Sequence, residues 1–224
     1  MNIELARFNM IEQQIRPWEV LDQTVLTLLG AVRREDFLPP HLRALAFVDT
    51  QVPLAPGAPD GQCMLEPKVE ARLLQALAVQ RHERVLEIGT GSGFMAALLA
   101  HRAMQVTTLE CVPELVDIAR ANLRSCGLMD VNVLEVTAAE GAAGLAAEAP
   151  FDVIVLSGSV AAVPQDLLAQ LKVGGRLAAV IGELPIMRAR LITRVAQSAW
   201  SDVDLFDTVA PRLLGFAEPA RFVF

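Results

Sequence analysis

The 224-residue chain is 53% hydrophobic and has a formal net charge of −7, so its length and composition predict one domain with a full core and exclude a disordered tail protein. An acidic balance without a basic run excludes a general phosphate-neutralising surface, so we expect no nucleic-acid partner. Three scattered cysteines, Cys63, Cys111 and Cys126, cannot form a disulfide framework. No Cys/His pair has the spacing of a zinc site, so no metal is predicted.

Neither a targeting segment nor a membrane span is predicted. The first residues include Glu4 and Arg7 instead of a basic cap followed by an apolar run. The apolar stretches are shorter than the roughly 18 residues that a membrane span needs. We therefore expect a cytoplasmic protein without a membrane partner, and no pattern in the sequence indicates its oligomeric state.

Two helices and a long loop are predicted in the first third of the chain. Apolar residues recur at three- and four-residue steps over residues 2–16, where Pro17 ends the run. A second helical run covers residues 19–31, with Asp22 placed to cap its start. Proline and glycine are dense over residues 49–67, which predicts a lid or a binding loop.

After this loop the helical and extended patterns alternate. Helices are predicted at residues 68–79, 94–101 and 113–126, and strands at 84–89, 105–110, 131–136, 151–158 and 174–182. The continuous apolar run "VIVL" is typical of a strand covered on both faces. The alternation predicts a doubly wound α/β sheet, with "RLITRVAQ" and "DLFDTVA" as antiparallel strands at its edge.

The segment "VLEIGTGSGF", residues 85–94, carries the chemical signal. A buried strand leads into Gly89, Gly91 and Gly93 and then into a helix. Glycine permits positive φ and lets a ligand touch the main chain. Because open α/β sheets bind ligands at the carboxyl ends of their strands, this turn is predicted to be a binding site.

Spacing and charge indicate which ligand the turn takes. The glycines follow G-x-G-x-G rather than the dinucleotide pattern G-x-G-x-x-G, and Glu87 precedes the first of them by two residues. A carboxylate suits a ligand ammonium group better than a pyrophosphate, which favours S-adenosylmethionine. Glu110 ends the next strand, close to the roughly 20-residue offset at which an acid accepts hydrogen bonds from ribose hydroxyls.

Six segments resemble the protein-L-isoaspartate (D-aspartate) O-methyltransferase family. They are "VLDQTVLTLLGAVRREDFLPP", "PGAPDGQCMLEPKVEARLLQAL", "VLEIGTGSGFMAALLA", "FDVIVLSGSVAAVP", "LKVGGRLAAVIG" and "DTVAPRLLGF". The resemblance implies an α/β fold: a seven-stranded doubly wound Rossmann-like methyltransferase sheet with a helical N-terminal extension. We accordingly expect residues 1–66 to form the extension and active-site loop, and residues 67–224 to form the S-adenosylmethionine-binding core.

The resemblance also implies an S-adenosylmethionine-dependent O-methyltransferase that repairs proteins and releases S-adenosylhomocysteine. The expected acceptor is a protein or peptide with a damaged aspartyl residue, or a small carboxylate. Methyl transfer to an ionised carboxylate requires orientation and no general base, so the isolated residues His41, His82 and His101 are interpreted as surface or helix residues.

The chain departs from the family pattern at two places. Where the family reads G-Q-T-I-S-x-P, residues 61–67 read "GQCMLEP", so Leu65 replaces a serine and the acid Glu66 follows it. Where the family reads G-D-G, with an Asp that contacts adenine, residues 137–141 read "TAAEG", and Glu140 is the acid available. Glu183 adds a negative charge near the expected substrate approach.

These considerations define the candidate site residues. The methyl-transfer mouth is assigned to Cys63, Met64 and Leu65, with Cys63 interpreted as a small loop side chain rather than a nucleophile. The cofactor site is assigned to Glu87, Gly89, Thr90, Gly91, Ser92, Gly93, Glu110, Cys111 and Glu140.

Two alternatives remain open from the sequence. The changes at the serine and aspartate positions are compatible with a diverged relative that lacks repair activity and acts as a weak cofactor-binding or interaction module. A nicotinamide-dependent dehydrogenase rests on the glycine turn alone, and the glycine spacing counts against it.

Overall fold

The computed structural model describes residues 2–55, 57, 59 and 61–219. Its N-terminal part is helical: α1 (Ile3–Met10) continues through a π-helical turn (Ile11–Ile15) and a 3₁₀ turn (Arg16–Trp18), and α2 (Gln23–Ala31) and two 3₁₀ segments (Arg34–Phe37 and Pro40–Phe47) follow. Asp22 caps α2 by accepting a hydrogen bond from the Thr24 amide at 2.7 Å, which confirms the predicted cap.

The predicted loop at residues 49–67 contains two very short strands, β1 (Val52–Pro53) and β2 (Cys63–Met64), which pair antiparallel. Three loop residues, Pro56, Ala58 and Asp60, lie outside the described residues. Residues 220–224, the last part of the predicted S-adenosylmethionine-binding core, lie outside them as well. The pairing of β1 with β2 brings the two ends of the loop together.

Seven strands and five helices form the rest of the fold. In chain order they are α3 (Pro67–Leu77), β3 (Arg84–Ile88), α4 (Phe94–Ala100), β4 (Gln105–Glu110), α5 (Pro113–Ser125), β5 (Asn132–Glu135), α6 (Ala138–Ala143), β6 (Phe151–Val160), α7 (Gln165–Leu168), β7 (Leu171–Glu183), β8 (Ile186–Ala196) and β9 (Ala199–Thr208). The short helices α6 and α7 were not predicted, because neither is long enough to show a helical apolar period.

The seven strands form one sheet in the order β5-β4-β3-β6-β7-β8-β9. Neighbours from β5 to β7 are parallel, whereas β8 pairs antiparallel with both β7 and β9. This confirms the doubly wound sheet and its antiparallel edge. It also places the carboxyl ends of β3, β4 and β6 at one rim, where the glycine turn follows β3.

Two hydrophobic clusters cover the faces of this sheet. Val85 and Leu86 are adjacent in β3 but belong to different clusters, because successive side chains of a strand point to opposite faces. Met10, Ile15 and Leu29 of the N-terminal part are buried in the same cluster as Val85. None of the helices within the described ranges has both the length and the apolar character of a membrane span.

Candidate active site

The glycine turn has the backbone that the sequence predicted. Gly89, Gly91 and Gly93 have φ values of +90°, +54° and +86°, in the left-handed region that side chains rarely adopt. The Gly89 amide donates to the Leu109 carbonyl of β4 at 2.9 Å, which fixes the first glycine beside the neighbouring strand. The turn therefore presents its main chain at the rim of the sheet.

Glu110, at the end of β4, is bound to this turn. One carboxylate oxygen accepts from the Gly91 amide at 2.8 Å, and the other accepts from the Cys111 and Val112 amides at 2.9 and 3.1 Å. The side chain is buried. Three main-chain donors thus hold the carboxylate in one orientation beside the glycines.

Glu87, the second acid, is fully buried under the turn. Its carboxyl oxygens accept hydrogen bonds from the hydroxyls of Ser157 at 2.6 Å and Thr108 at 2.8 Å. Burial raises the pKa of Glu87 to about 8 against the opposing effect of both hydroxyls, and the charges of Glu70 and Glu110 raise it further. Glu87 is therefore largely protonated at neutral pH.

A cavity of about 290 Å³ lies above the turn. It joins most of the predicted site residues, namely Cys63, Met64, Leu65, Glu87, Gly89, Thr90, Gly91, Ser92, Glu110 and Cys111. Residues from Cys63 to Cys111, almost 50 positions of the chain, thus line one cavity.

Two predicted residues lie outside the lining. Gly93 faces α5, where an added Cβ would come within 3.3 Å of Leu123, so its lack of a side chain serves helix packing. Glu140 is exposed and forms a capping box with Thr137 at the start of α6, which lowers the pKa of Glu140. Its assignment to adenine stays a prediction that the lining does not support.

The loop at residues 49–67 forms one side of the cavity. Gln51 joins the loop to the C-terminal segment, the described residues 209–219 after β9, because its Nε2 donates to the Val209 carbonyl at 3.1 Å. The same Nε2 also lies 3.3 Å from the carboxylate of Glu66 within the loop. The Cys63 thiol donates to Oε1 of Gln51 at 3.6 Å. Burial raises the pKa of Cys63 to about 11, with smaller contributions from Glu66 and Glu70, so the residue is a thiol and not a thiolate nucleophile.

Leu65, at the position of the expected serine, is buried and is one of the residues that line the cavity. Its carbonyl accepts a hydrogen bond from the buried Arg34, which also pairs with the Glu70 carboxylate. Burial raises the pKa of Glu70 to about 7, while Arg34 opposes the shift. The loop is therefore attached to the core through its main chain, independently of the side chain at position 65.

The comparisons with known proteins agree with this architecture. The family model described as "Protein-L-isoaspartate(D-aspartate) O-methyltransferase (PCMT)" matches residues 6–204, most of the chain. The chain belongs to this family.

Relatives from distant organisms are similar over most of their length. A protein-L-isoaspartate O-methyltransferase 2 of Marinobacter nauticus is 39% identical over 92% of this chain and 91% of its own. A protein-L-isoaspartate O-methyltransferase of Methanoculleus marisnigri is 39% identical over 79% of this chain and 77% of its own. A Plasmodium falciparum structure assigned to the same class of enzyme, in complex with S-adenosyl-L-homocysteine, has a TM-score of 0.75 at 20% identity, covering 96% and 99% of the two chains, and this likeness shows the shared fold.

The C-terminal segment is the part of this family member's site that sequence reasoning missed. Arg212, Leu213 and Leu214 line the cavity, and Leu213 packs so closely on the turn that a Cβ at Gly89 would be 2.6 Å from it. Ser159 of β6 holds the segment, since its hydroxyl donates to the Ala210 carbonyl at 2.7 Å. The segment "DTVAPRLLGF" carries the resemblance to the family, but nothing in it indicates which residues face the cavity.

Glu70 was also missed, whereas Glu183, predicted near the substrate approach, does not line the cavity. Glu70 lies on a helix whose apolar period gives no reason to expect a carboxyl group that faces a cavity. Glu183 is exposed at the end of β7 and lies outside the lining of the cavity. The described residues therefore bring three acids into the cavity: Glu70, Glu87 and Glu110.

Proposed function

We propose that this chain is an S-adenosylmethionine-dependent O-methyltransferase that methylates the free carboxylate of isoaspartyl residues in proteins and peptides. The observation that carries the proposal is that the glycine turn, Glu87 and Glu110 line one cavity in a member of this family. The names of its relatives and the S-adenosyl-L-homocysteine bound to the Plasmodium falciparum protein support the choice of reaction and cofactor.

The residues of the turn fit the proposed cofactor. The main chain at Gly89 and Gly91 would contact the methionine part, and Glu87 would face its ammonium group. A raised pKa suits this role, because a cation in the cavity would favour the ionised form of a carboxyl group that burial otherwise keeps protonated. Glu110, held by three main-chain donors, would accept a hydrogen bond from the ribose with the remaining lone pair of the oxygen that binds the Gly91 amide.

The cofactor supplies an activated methyl group on a sulfonium sulfur, and the chain supplies position. A carboxylate acceptor is already ionised near neutral pH, so the transfer requires no base. Cys63, Met64 and Leu65 would line the mouth through which the acceptor approaches, and the apolar side chains would exclude water there. Because burial keeps Cys63 a thiol, it would not compete with the acceptor for the methyl group.

The test is methyl transfer from labelled S-adenosylmethionine to a peptide that contains one isoaspartyl residue. The control is the same peptide with an ordinary aspartyl residue, and a small dicarboxylic acid is the third acceptor. We expect transfer to the isoaspartyl peptide alone. Tight binding of S-adenosylhomocysteine without transfer to any of the three would support the diverged relative and contradict our proposal.

A further inference from the structure

An anionic acceptor needs a cationic partner, which the acidic side chains of the cavity do not supply. Within the part of the chain that the structure describes, its lining holds three carboxyl groups, those of Glu70, Glu87 and Glu110. A carboxylate that leaves water for a partly enclosed space needs a partner of opposite charge. Among the described residues of the lining, Arg212 is the one cationic side chain.

From this arrangement we infer that Arg212 binds the acceptor carboxylate and takes over the anchoring that a hydroxyl at position 65 would supply. The inference rests on the proposed function. Leu65 and Arg212 line the same cavity from different segments, the loop and the C-terminal segment, which Gln51 joins. An arginine binds a carboxylate through charge-assisted hydrogen bonds, often two at once.

The local structure holds Arg212 ready for this contact. Ser159 of β6 pairs with Arg212 in a parallel bridge, the Ser159 amide donates to the Pro211 carbonyl at 2.6 Å, and Nη1 of Arg212 lies 3.4 Å from the Ser159 hydroxyl. The Arg212 side chain is 27% exposed, so solvent reaches it although most of its surface is covered by protein.

One carboxylate of the chain already interacts with this guanidinium. Nε of Arg212 lies 3.1 Å from Oε1 of Glu218, whose side chain is 50% exposed. The contacts to Glu218 and Ser159 engage a minority of the five N–H donors of an arginine. Glu218 thus occupies the Nε edge of Arg212, as an acceptor carboxylate would, and the two compete for that edge.

The step itself balances without a further group. One oxygen of the acceptor carboxylate forms the new bond to the methyl carbon, and the carbon–sulfur bond breaks with its electron pair remaining on sulfur. The second oxygen stays available to Arg212 throughout. The ester product is neutral, so it loses the charge-assisted contact and Glu218 can again pair with Arg212, which favours release.

The experiment measures equilibrium binding of a fluorescent isoaspartyl peptide to the full-length protein saturated with S-adenosylhomocysteine. The same peptide with its isoaspartyl carboxylate as a methyl ester is the matched ligand. We expect the wild type to prefer the acid at least tenfold, and Arg212→Leu to remove this preference. Arg212→Lys should retain part of it, since a point charge remains without the planar fork.

Three controls make the result specific. Arg188→Leu removes a surface arginine that pairs with Asp204 and Asp207, so it matches the change in net charge away from the cavity. Glu218→Gln should strengthen binding of the acid up to about fivefold, because an exposed ion pair is worth roughly 1 kcal/mol or less. Calorimetry should find the affinity for S-adenosylhomocysteine unchanged in Arg212→Leu, which separates the acceptor contact from damage to the cofactor site.

The outcomes distinguish this inference from the proposed function. A preference for the acid that persists in Arg212→Leu overturns the role of Arg212 and leaves the methyltransferase proposal standing. A wild type that neither binds nor methylates the isoaspartyl peptide overturns the proposed function, and the inference falls with it. A lost preference in Arg188→Leu as well would show that long-range charge, and not contact, determines acceptor binding.

Discussion

The carboxylate of Glu110 accepts a hydrogen bond from the Gly91 amide at 2.8 Å, so the acid that ends β4 is joined directly to the turn that follows β3. Because the two strands are parallel neighbours, their carboxyl ends meet at the same rim. The residues are 19 positions apart in the chain. The contact gives a direct reason for treating the turn and the acid as a single site.

Glu110→Ala is expected to weaken S-adenosylhomocysteine binding at least tenfold, because it removes the ribose acceptor and leaves three main-chain donors without their partner. Glu140→Ala is the comparison, since its side chain caps α6 outside the cavity lining, and its affinity should match that of the wild type. Titration calorimetry measures both. A tenfold loss in Glu140→Ala would instead support the assignment of Glu140 to adenine.

Leu65→Ser is expected to raise the turnover of an isoaspartyl peptide about 10- to 100-fold, because a hydrogen bond to a charged group is worth about 1.5–3 kcal/mol. Leu65→Ala is the matched control, since it removes the same buried bulk without adding a hydroxyl. Both variants should lose about 2–5 kcal/mol of stability by emptying a buried position. Equal turnover in the two variants would contradict the placement of this side chain near the acceptor.

The pKa of Glu87 predicts a pH-dependent stability. Below about pH 4.5 the side chain is protonated in both the folded and the unfolded chain, and between pH 4.5 and about 8 only the folded chain retains the proton. The free energy of unfolding should therefore fall as the pH rises through this window, by up to about 1.4 kcal/mol per pH unit for one proton. Glu70, with its pKa of about 7, contributes in the lower part of the window.

Urea unfolding of the wild type and Glu87→Gln between pH 5 and 9 measures this component. The difference in the free energy of unfolding between the two proteins should change with pH between about 4.5 and 8 and be constant above about pH 8. Glu183→Gln removes an exposed carboxyl group outside the cavity and is the matched control for the loss of one acidic side chain. A constant difference for Glu87→Gln would contradict the raised pKa.

The same group predicts proton release when the cofactor binds. At pH 7 Glu87 is largely protonated, and a ligand ammonium group beside it would favour the carboxylate, so binding should expel up to about one proton. Calorimetry at pH 7 in buffers of different ionisation enthalpy measures this number. Glu87→Gln has no proton to lose at this position, so its binding enthalpy should not depend on the ionisation enthalpy of the buffer. Equal proton release in the variant would assign the proton to another group.

The glycine turn and the two acids beside it could be predicted from the sequence, because each is encoded by a local pattern. The glycine turn needs positive φ at three alternating positions, and a strand before it and a helix after it follow from apolar periodicity. Glu87 and Glu110 occupy defined positions in two predicted parallel strands, so their approach to the turn follows from the strand order. The family itself was readable from six segments that are spread over most of the length of the chain.

The tertiary structure alone decided the rest of the cavity. Leu213 reaches Gly89, and Arg212 enters the lining, because Ser159 of β6 pairs with a segment more than 50 residues farther along the chain. No period or spacing encodes such a contact. The position of Glu70 likewise depends on packing between distant segments. Arg34 of the N-terminal part pairs with the buried carboxylate of Glu70, and α3 itself supplies no such partner. Local patterns thus determined the turn and the strands, whereas long-range packing determined which charges face the space between them.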